Sequence, residues 1–230
     1  MDIDILIPIH LIDFVFLEEN LNSIKMQTFK NYNIIITDET DTDDMYNFII
    51  DYSKKNNMNI NYHKSLLKGW SNNHNNGLKH CKSALIKILH YDNYFYHENA
   101  LNDIVEIFKN DENIYWVVST YIHNKNNILC DLHTPKYNDN ILKGINTIGD
   151  PSCLTFKNKN ILSFDVNLTW FVDCDYYYRL YNLYSYPHVL NNTNIVVRHH
   201  KKQTTLLCEN NIELHNFEKK HIEFTHSVFL

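Results

Sequence analysis

Residues 3–9 read Ile-Asp-Ile-Leu-Ile-Pro-Ile, an apolar run whose end is marked by Pro8. A short apolar run that ends at a proline is typical of a buried β-strand. Apolar residues at helical spacing follow over residues 14–26, and Asn33-Ile-Ile-Ile-Thr37 reads as a second strand. After another helical pattern, residues 59–63 form a third candidate strand. Strand and helix thus alternate through the first 65 residues, which predicts a parallel α/β arrangement.

The rest of the chain continues this pattern. Lys68–Gly77 carries two of the four glycines and is predicted to be a polar loop that opens a helix at Leu78. A long polar segment follows residue 120, and residues 208–226 predict an amphipathic helix. Further strands are predicted over residues 83–90, 114–120, 153–156 and 194–197, and further helices begin near residues 97 and 169. No Pro-, Gly- or Ser-rich linker divides the chain, so we expect one main domain.

Composition and charge exclude several classes of protein. The 230 residues are 44% hydrophobic and 21% charged, which is ordinary for a globular protein. A formal net charge of −6 argues against a general polyanion binder. The five cysteines lie far apart, which supports neither structural zinc nor a disulfide framework. The first residues carry two Asp, unlike a signal peptide, and no run approaches 18 apolar residues. We therefore expect a soluble, cytosolic protein without a membrane span.

Polar residues follow the first two predicted strands. In open α/β sheets, ligands bind beyond the carboxyl ends of the strands, where this interpretation places Pro8–His10 and Asp38–Asp44. Carboxylates there are common in nucleotide sites, and they are also common as solvated helix starts. The glycine-bearing segment 68–77 either presents backbone N–H groups to phosphate or is a turn with a cap.

The order of elements resembles that of the inverting glycosyltransferases of family 2, which have the GT-A fold. Asp4–His10 resembles the opening strand of the family, and Ile34–Glu39 resembles its strand with a terminal acidic pair. Asn75–Leu78 is similar to the Asn-x-Gly helix start. The resemblance implies an α/β fold of the GT-A (Rossmann-like) type, a three-layer α/β/α sandwich around a mixed, mostly parallel sheet.

Three later motifs carry the resemblance further. Leu89–Asn93 lies where the family has its Asp-x-Asp metal motif, and Asp173 lies where it has its Glu-Asp catalytic motif. Arg198–His200 is similar to the Arg-x-His motif of the family. The chain departs from the pattern at His90, in place of the first acidic residue of the metal motif, and at Val172, in place of the Glu. The resemblance covers residues 3 to about 205.

The resemblance implies a domain over residues 1–205, with a nucleotide-binding half at about 1–97, an acceptor-binding half at about 98–205, and a helical tail at 206–230. It implies Asp173 as catalytic base, and Asp92 and His200 as ligands of a divalent metal, Mn²⁺ or Mg²⁺. We place Trp170 and Ser152 on the acceptor side. The donor-binding candidates are Pro8, His10, Asp38, Glu39, Gly69, Asn75, His90 and Tyr91.

Structural interpretations compete with these roles. Asp173 could be a first-turn or capping carboxylate of a helix, and His200 could belong to a solvated basic cluster with Lys201 and Lys202. His90 could bind metal, contact the ribose or pack, and we favour a role other than metal ligand. Asp175 lies four residues before Arg179, the spacing of a helical ion pair, and is assigned to structure.

The resemblance favours an enzyme that moves a sugar from a nucleotide-sugar, preferably a UDP-sugar, to a hydroxyl on a glycan or small molecule. One alternative keeps this chemistry with a hydroxymethylated DNA base as acceptor, which the acidic charge disfavours. Another, from a different class, is a non-catalytic nucleotide-sugar or glycan-binding module, suggested by the altered metal motif at His90. A homodimer is left open.

Overall fold

The computed structural model describes residues 1–227. The strands are β1 Ile3–Ile9, β2 Tyr32–Asp38, β3 Ile60–Lys64, β4 Leu85–Ile88, β5 Tyr94–Phe95, β6 Trp116–Lys125, β7 Ile128–His133, β8 Leu154–Lys157 and β9 His188–His199. The helices are α1 Phe14–Lys25, α2 Asp44–Asn56, α3 Trp70–Leu78, α4 Ala100–Asn110, α5 Val172–Tyr184, α6 Thr204–Cys208 and α7 Ile212–His226. Single 3₁₀ turns occur at Ile141–Lys143 and Pro151–Cys153.

The strands of the described residues form one mixed sheet in the order β3-β2-β1-β4-β8-β6-β9-β5, with β7 paired to β6. β3, β2, β1 and β4 run parallel, as the alternating pattern at the start of the chain predicts. β8 then enters antiparallel between β4 and β6, and β6 pairs parallel with β9. The predicted α/β class with a mixed sheet is confirmed. The carboxyl ends of β1, β2 and β4 meet at one edge, which is where the motifs after them lie.

Asp4 fixes the centre of this sheet, although it is a carboxylate inside an apolar strand. All seven residues of β1 are buried, Asp4 included. Its Oδ2 accepts hydrogen bonds from the N–H groups of Lys82 (2.5 Å) and Ser83 (2.8 Å). Its Oδ1 accepts from the Ser83 hydroxyl (2.6 Å) and the Asn33 amide (2.9 Å). The carboxylate therefore ties β2 and the start of β4 to β1.

The predicted loop over residues 68–77 is wrong: the segment is helical from Trp70 to Leu78. The helix α3 begins after Gly69, whose φ of +105° marks the turn. Its buried face carries an amide, because Asn73 donates to the carbonyl of Ile9 (2.8 Å) at the end of β1. Because this buried face carries a polar side chain that bonds to a strand-end carbonyl, the segment lacks the apolar periodicity by which a helix is recognised in a sequence. Residues 79–84, predicted to continue a helix, instead lead into β4.

A second difference is a hairpin in the long polar segment after residue 120. The strands β6 and β7 are joined at Asn126 and Asn127, which both have positive φ, 53° and 64°. Two successive residues with positive φ are typical of the tight turn that joins antiparallel strands, and asparagine tolerates them. The Asn-Asn pair was therefore the available signal for the hairpin.

The predicted tail helix is divided in two, since α6 precedes α7 and residues 209–211 separate them. Residues 228–230 of the predicted tail lie outside the described residues. No helix of residues 1–227 is both long and apolar enough to cross a membrane.

Gly77 lets α3 pack directly against the central strand. A Cβ at this position would lie 2.2 Å from Cδ1 of Leu6 in β1, a distance that no real contact allows. Here glycine serves close packing of helix on strand.

We predict that Gly77→Ala lowers the free energy of unfolding by about 1–3 kcal/mol, because overpacking outweighs the better helix propensity of alanine. The measurement is urea denaturation. In the Leu6→Ala background the added methyl group meets open space, so there the same change should be neutral or stabilising. An equal loss in both backgrounds would contradict the contact with Leu6.

Candidate active site

A cleft of about 470 Å³ lies at this edge of the sheet. Nine of the predicted site residues line it: Pro8, His10, Glu39, His90, Tyr91, Asp92, Trp170, Asp173 and His200. The other four, Asp38, Gly69, Asn75 and Ser152, are not among its lining residues. Residues from β1, α3, the turn after β4, the start of α5 and the end of β9 thus meet in one place.

Asp38 and Glu39, the predicted acidic pair, differ in what they offer a ligand. Asp38 is fully buried, and its carboxylate accepts from the Thr40 N–H (2.7 Å), the Tyr62 hydroxyl (2.7 Å) and the Lys64 ammonium (3.1 Å). These partners occupy its oxygens, so its predicted contact with the donor is corrected to a structural role. Glu39 faces the cleft instead.

Glu39 also explains the position of Gly69. The Gly69 N–H donates to Oε2 of Glu39 (2.6 Å), so it is not free to hold a phosphate. Burial raises the pKa of Glu39, and the Gly69 N–H and Lys68 act in the opposite direction. The predicted donor contact of Gly69 is therefore corrected: it positions Glu39.

Two further predictions are corrected because the side chains are satisfied inside the protein. The amide of Asn75 forms a pair of hydrogen bonds with the backbone of Phe164, donating to its carbonyl (2.8 Å) and accepting from its N–H (2.7 Å). Ser152 is fully buried, and its hydroxyl accepts from the His90 N–H (3.0 Å) and the Asn93 amide (2.8 Å). Ser152 therefore holds the turn after β4 and is engaged inside the protein.

Lys87 supports the same turn from behind. It is fully buried in β4, and its ammonium donates to the carbonyl of Ser152. Burial lowers its pKa to about 7.

Asp92 and His200 are adjacent, as the proposed metal site requires. Oδ2 of Asp92 lies 2.8 Å from Nε2 of His200, and both side chains remain partly exposed in the cleft, at 14% and 11%. Arg198 joins the two motifs that carry them, because its Nε donates to the Asp92 carbonyl (3.0 Å) and its backbone N–H to the Asn93 amide oxygen (2.9 Å). Its guanidinium also pairs with Glu19. Arg198 thus has a structural role.

His90 is held on both ring nitrogens. Nδ1 of His74 lies 2.8 Å from the Trp70 carbonyl, which can only accept, so this nitrogen carries the proton. Burial lowers the pKa of His74 well below its ordinary value, so the ring is neutral and its Nε2 accepts from Nε2 of His90 (3.1 Å). The other nitrogen of His90, Nδ1, lies 3.4 Å from Oδ1 of Asp150. Both ring nitrogens of His90 thus lie against side chains of the protein, His74 and Asp150.

Nearby carboxylates favour the protonated form of His90. Burial lowers the pKa of His90, but Asp150, Asp92 and Asp173 together outweigh burial and raise it above its ordinary value. In turn, burial raises the pKa of Asp150, but His90 and the N–H of Ser152 hold it well below its usual range. A histidine with a raised pKa thus stands where the resemblance places a carboxylate.

Asp150 and His74 also line the cleft, although no motif in the sequence predicted them as site residues. The Asp150 side chain accepts from the N–H of Ser152 (2.7 Å) and caps the 3₁₀ turn at Pro151–Cys153. Asp followed by Pro is a helix-start signal, which could have identified Asp150 as a capping residue but not as the partner of a histidine 60 positions earlier. Nothing near His74 indicates its contact.

Asp173 is the second residue of α5. Its Oδ1 is buried without a hydrogen-bond partner among the described residues. The N-cap is Phe171, so Asp173 does not cap the helix. Burial, and then the charge of Asp150, raise the pKa of Asp173 to about 7, while His90 opposes them. A carboxylate with this pKa can take up a proton and release it again near neutral pH.

Trp170 and Asp175 lie on either side of Asp173. Trp170 lines the cleft, and its ring stacks on His215 of α7 with centroids 4.9 Å apart. Oδ2 of Asp175 accepts from Nε of Arg179 (2.8 Å). The predicted ion pair within the helix is confirmed.

With this geometry established, comparison with known proteins identifies the family. Residues 4–167 match the sequence model of the family described as glycosyl transferase family 2. The chain belongs to this family. A comparison with curated protein sequences finds no match.

Solved structures of other proteins share the fold. TarS of S. aureus, residues 1–349 in complex with UDP, superposes with a TM-score of 0.66 at 14% identity over 86% of this chain and 61% of that one. The same TarS segment has been solved with UDP-GlcNAc, with a TM-score of 0.66 and 14% identity over 89% of this chain and 60% of that one. The mannosyltransferase PcManGT from Pyrobaculum calidifontis, with GDP-Man and Mn²⁺, gives 0.65 at 13% identity over 89% and 59%. The expected GT-A fold is confirmed, and the chain spans less than two thirds of the length of these structures.

The raised pKa of Asp173 predicts a pH-dependent gain of stability in Asp173→Asn. The folded pKa of about 7 lies above the unfolded value of about 4, so the wild type loses stability from this group as pH rises between them. Asparagine has no charge to desolvate. In thermal and urea unfolding we expect the variant to match the wild type near pH 4 and to exceed it by about 1–3 kcal/mol at pH 8.

Asp51→Asn, on an exposed position of α2, is the matched control and should show no such trend. A stability difference for Asp173→Asn that is independent of pH would contradict the raised pKa.

Proposed function

We propose that this member of glycosyl transferase family 2 is an inverting enzyme that moves a sugar from a nucleotide-sugar to a hydroxyl acceptor, with Asp173 as base. The observation that carries the proposal is the unpartnered Oδ1 of Asp173 in the same cleft as the Asp92–His200 pair. A buried carboxylate oxygen without a partner is costly to folding. Its presence is accounted for by a reaction that uses it.

A UDP-sugar is the preferred donor. TarS has been solved with UDP and UDP-GlcNAc, while PcManGT has been solved with GDP-Man, so GDP is the second candidate. In this chain the nucleotide is proposed to bind at the carboxyl ends of β1 and β2, where Pro8, His10 and Glu39 line the cleft. The Glu39 carboxylate is suited to accept from a ribose hydroxyl or a base N–H.

Asp92 and His200 fit a divalent cation. They offer a carboxylate oxygen and an imidazole nitrogen side by side, a donor set that favours Mn²⁺ over Mg²⁺. No group of three or more metal-ligating side chains occurs in residues 1–227, so diphosphate oxygens and water would complete the ligand shell. A cation held here neutralises charge that develops on the leaving diphosphate.

Asp173 performs the proton transfer in this proposal. The acceptor hydroxyl gives its proton to the Asp173 carboxylate while its oxygen bonds to the anomeric carbon. The bond from that carbon to the diphosphate oxygen breaks, and the nucleoside diphosphate leaves with the electron pair. Attack from the side opposite the leaving group inverts the configuration. With a pKa of about 7, Asp173 is deprotonated often enough to act as base near neutral pH.

A glycan or small hydroxylated molecule is the proposed acceptor. The carboxylates of Asp92, Asp150, Asp173 and Glu209 line the cleft, and this disfavours the phosphates of DNA. The cytosolic location and the homodimer stay predictions.

Donor class and metal are tested by a thermal-shift panel of UDP, GDP, CDP and dTDP, with and without Mn²⁺. A nucleotide at 100 times its Kd adds about 2.7 kcal/mol to the free energy of unfolding. For a chain of this size this raises the melting temperature by several degrees. We expect the largest shift with UDP plus Mn²⁺, and its loss in Asp92→Ala. A shift that is the same without metal would overturn the role of Asp92, and no shift with any nucleotide would favour a non-catalytic glycan-binding module.

Asp173→Asn should keep this nucleotide shift but lose turnover, because the donor contacts are intact and the base is absent. With water as acceptor, we expect release of nucleoside diphosphate from the donor sugar to fall about 10²–10⁴-fold. Wild-type release should also decline below pH 7 as Asp173 takes up its proton. Asp51→Asn is again the control, and near wild-type turnover in Asp173→Asn would refute its assignment as base.

A further inference from the structure

The turn that precedes α5 is held by a helix far along the chain. Residues 169–171 lead into α5, and the helix lacks a side-chain cap of its own, since its N-cap is Phe171. Helix starts leave N–H groups that need partners. Here the partner of the preceding turn is Glu218, in the middle of α7.

Glu218 is fully buried. Its Oε1 accepts from the N–H of Thr169 (2.8 Å) and more weakly from that of Trp170 (3.3 Å). Its Oε2 accepts from the N–H groups of Trp170 (3.0 Å) and Phe171 (2.9 Å). Three successive backbone donors therefore converge on one carboxylate, whose charge also suits the positive end of α5.

Further contacts hold α7 against the same region. His221 pairs with Asp165 before the turn (2.7 Å), and His226 pairs with Asp175 after it (2.7 Å). His215 stacks on Trp170. The tail thus contacts the segment at several points around Glu218, and the turn has little freedom to move independently of α7.

We propose that Glu218 is a positioning residue for the transfer reaction: it fixes the Thr169–Phe171 turn, and thereby sets Trp170 at the cleft wall and Asp173 at the start of α5. This inference rests on the proposed function, because it gives Asp173 the role of base. Both Asp173 and Glu218 lie beyond residues 4–167, the part that matches the family.

The chemistry requires a carboxylate at this position. The three N–H groups donate to both oxygens of one side chain. Only an ionised Asp or Glu has two acceptor oxygens. Glutamine keeps the size but replaces one acceptor with an NH₂ group that faces an N–H donor. Aspartate keeps the charge but is one methylene shorter.

The test uses the full chain with Glu218→Gln, and Glu213→Gln as control. Glu213 is exposed in the first turn of the same helix, so both variants remove one charge from α7. In Glu218→Gln we expect faster hydrogen exchange at the amides of residues 169–171. We expect turnover to fall 10–100-fold. The apparent affinity for the nucleotide, taken from the thermal shift, should change less than twofold, because the substitution does not touch the residues proposed to bind the donor.

A titration of the Asp173 carboxyl by ¹³C NMR gives a readout that loss of stability alone does not move. The Asp173 signal is assigned by its absence in Asp173→Asn. In Glu218→Gln the midpoint should move at least one pH unit toward that of an ordinary carboxylate, because the displaced side chain gains water. The control should titrate like the wild type.

The outcomes separate this inference from the proposed function. Faster exchange at residues 169–171 with unchanged turnover and an unchanged Asp173 midpoint would refute the positioning role, as would equal losses in both variants. If the wild type releases no nucleoside diphosphate from any donor, the proposed function fails, while exchange and the NMR midpoint still decide whether Glu218 sets Asp173. If Glu218→Gln does not fold, Glu218→Asp is measured in the same way, with a smaller shift in the same direction expected.

Discussion

Carboxylates that accept backbone N–H groups within the fold provide the interaction on which this structure depends. Asp4 receives two N–H groups at the start of β4 and thereby fixes the central strand pairing. Asp150 receives the N–H of Ser152, and Glu218 receives three from the turn before α5. Each carboxylate thus orders a segment that lacks regular hydrogen bonding of its own. The loops around the cleft acquire fixed positions by this means, with only four glycines in the whole chain.

Local patterns in the sequence explain which features could be predicted and which could not. The strands at the start of the chain are apolar runs, and their pattern predicts both the α/β class and the edge where ligands bind. Motif order brings Asp92, Asp173 and His200 to that edge, and the cleft contains all three. Helix α3 was missed because Asn73 buries an amide where periodicity leads one to expect an apolar residue. The partnership of Glu218 with residues 169–171 spans almost fifty positions, and no local pattern encodes it.

Three titratable side chains of the site act on one another electrostatically. Asp150, Asp173 and His90 influence one another's pKa. Where the resemblance places a carboxylate, this chain has a histidine whose two ring nitrogens lie against His74 and Asp150. The substitution therefore lowers the negative charge beside Asp92 without removing a polar contact. His74 contributes to this arrangement, because the low pKa of its ring leaves Nε2 able to accept a hydrogen bond from Nε2 of His90.

The reliance of the turn before α5 on Glu218 has a consequence for folding during synthesis. A chain is made from its amino end, and its early segments can fold before later ones emerge. The sheet from β1 to β9 is complete at residue 199, yet the three N–H groups of residues 169–171 still await their acceptor. A chain that is released after residue 199 but before residue 218 can form its sheet while this turn stays unsatisfied. The part of the cleft that residues 8–92 line is thus made before the part that residues 169–173 line.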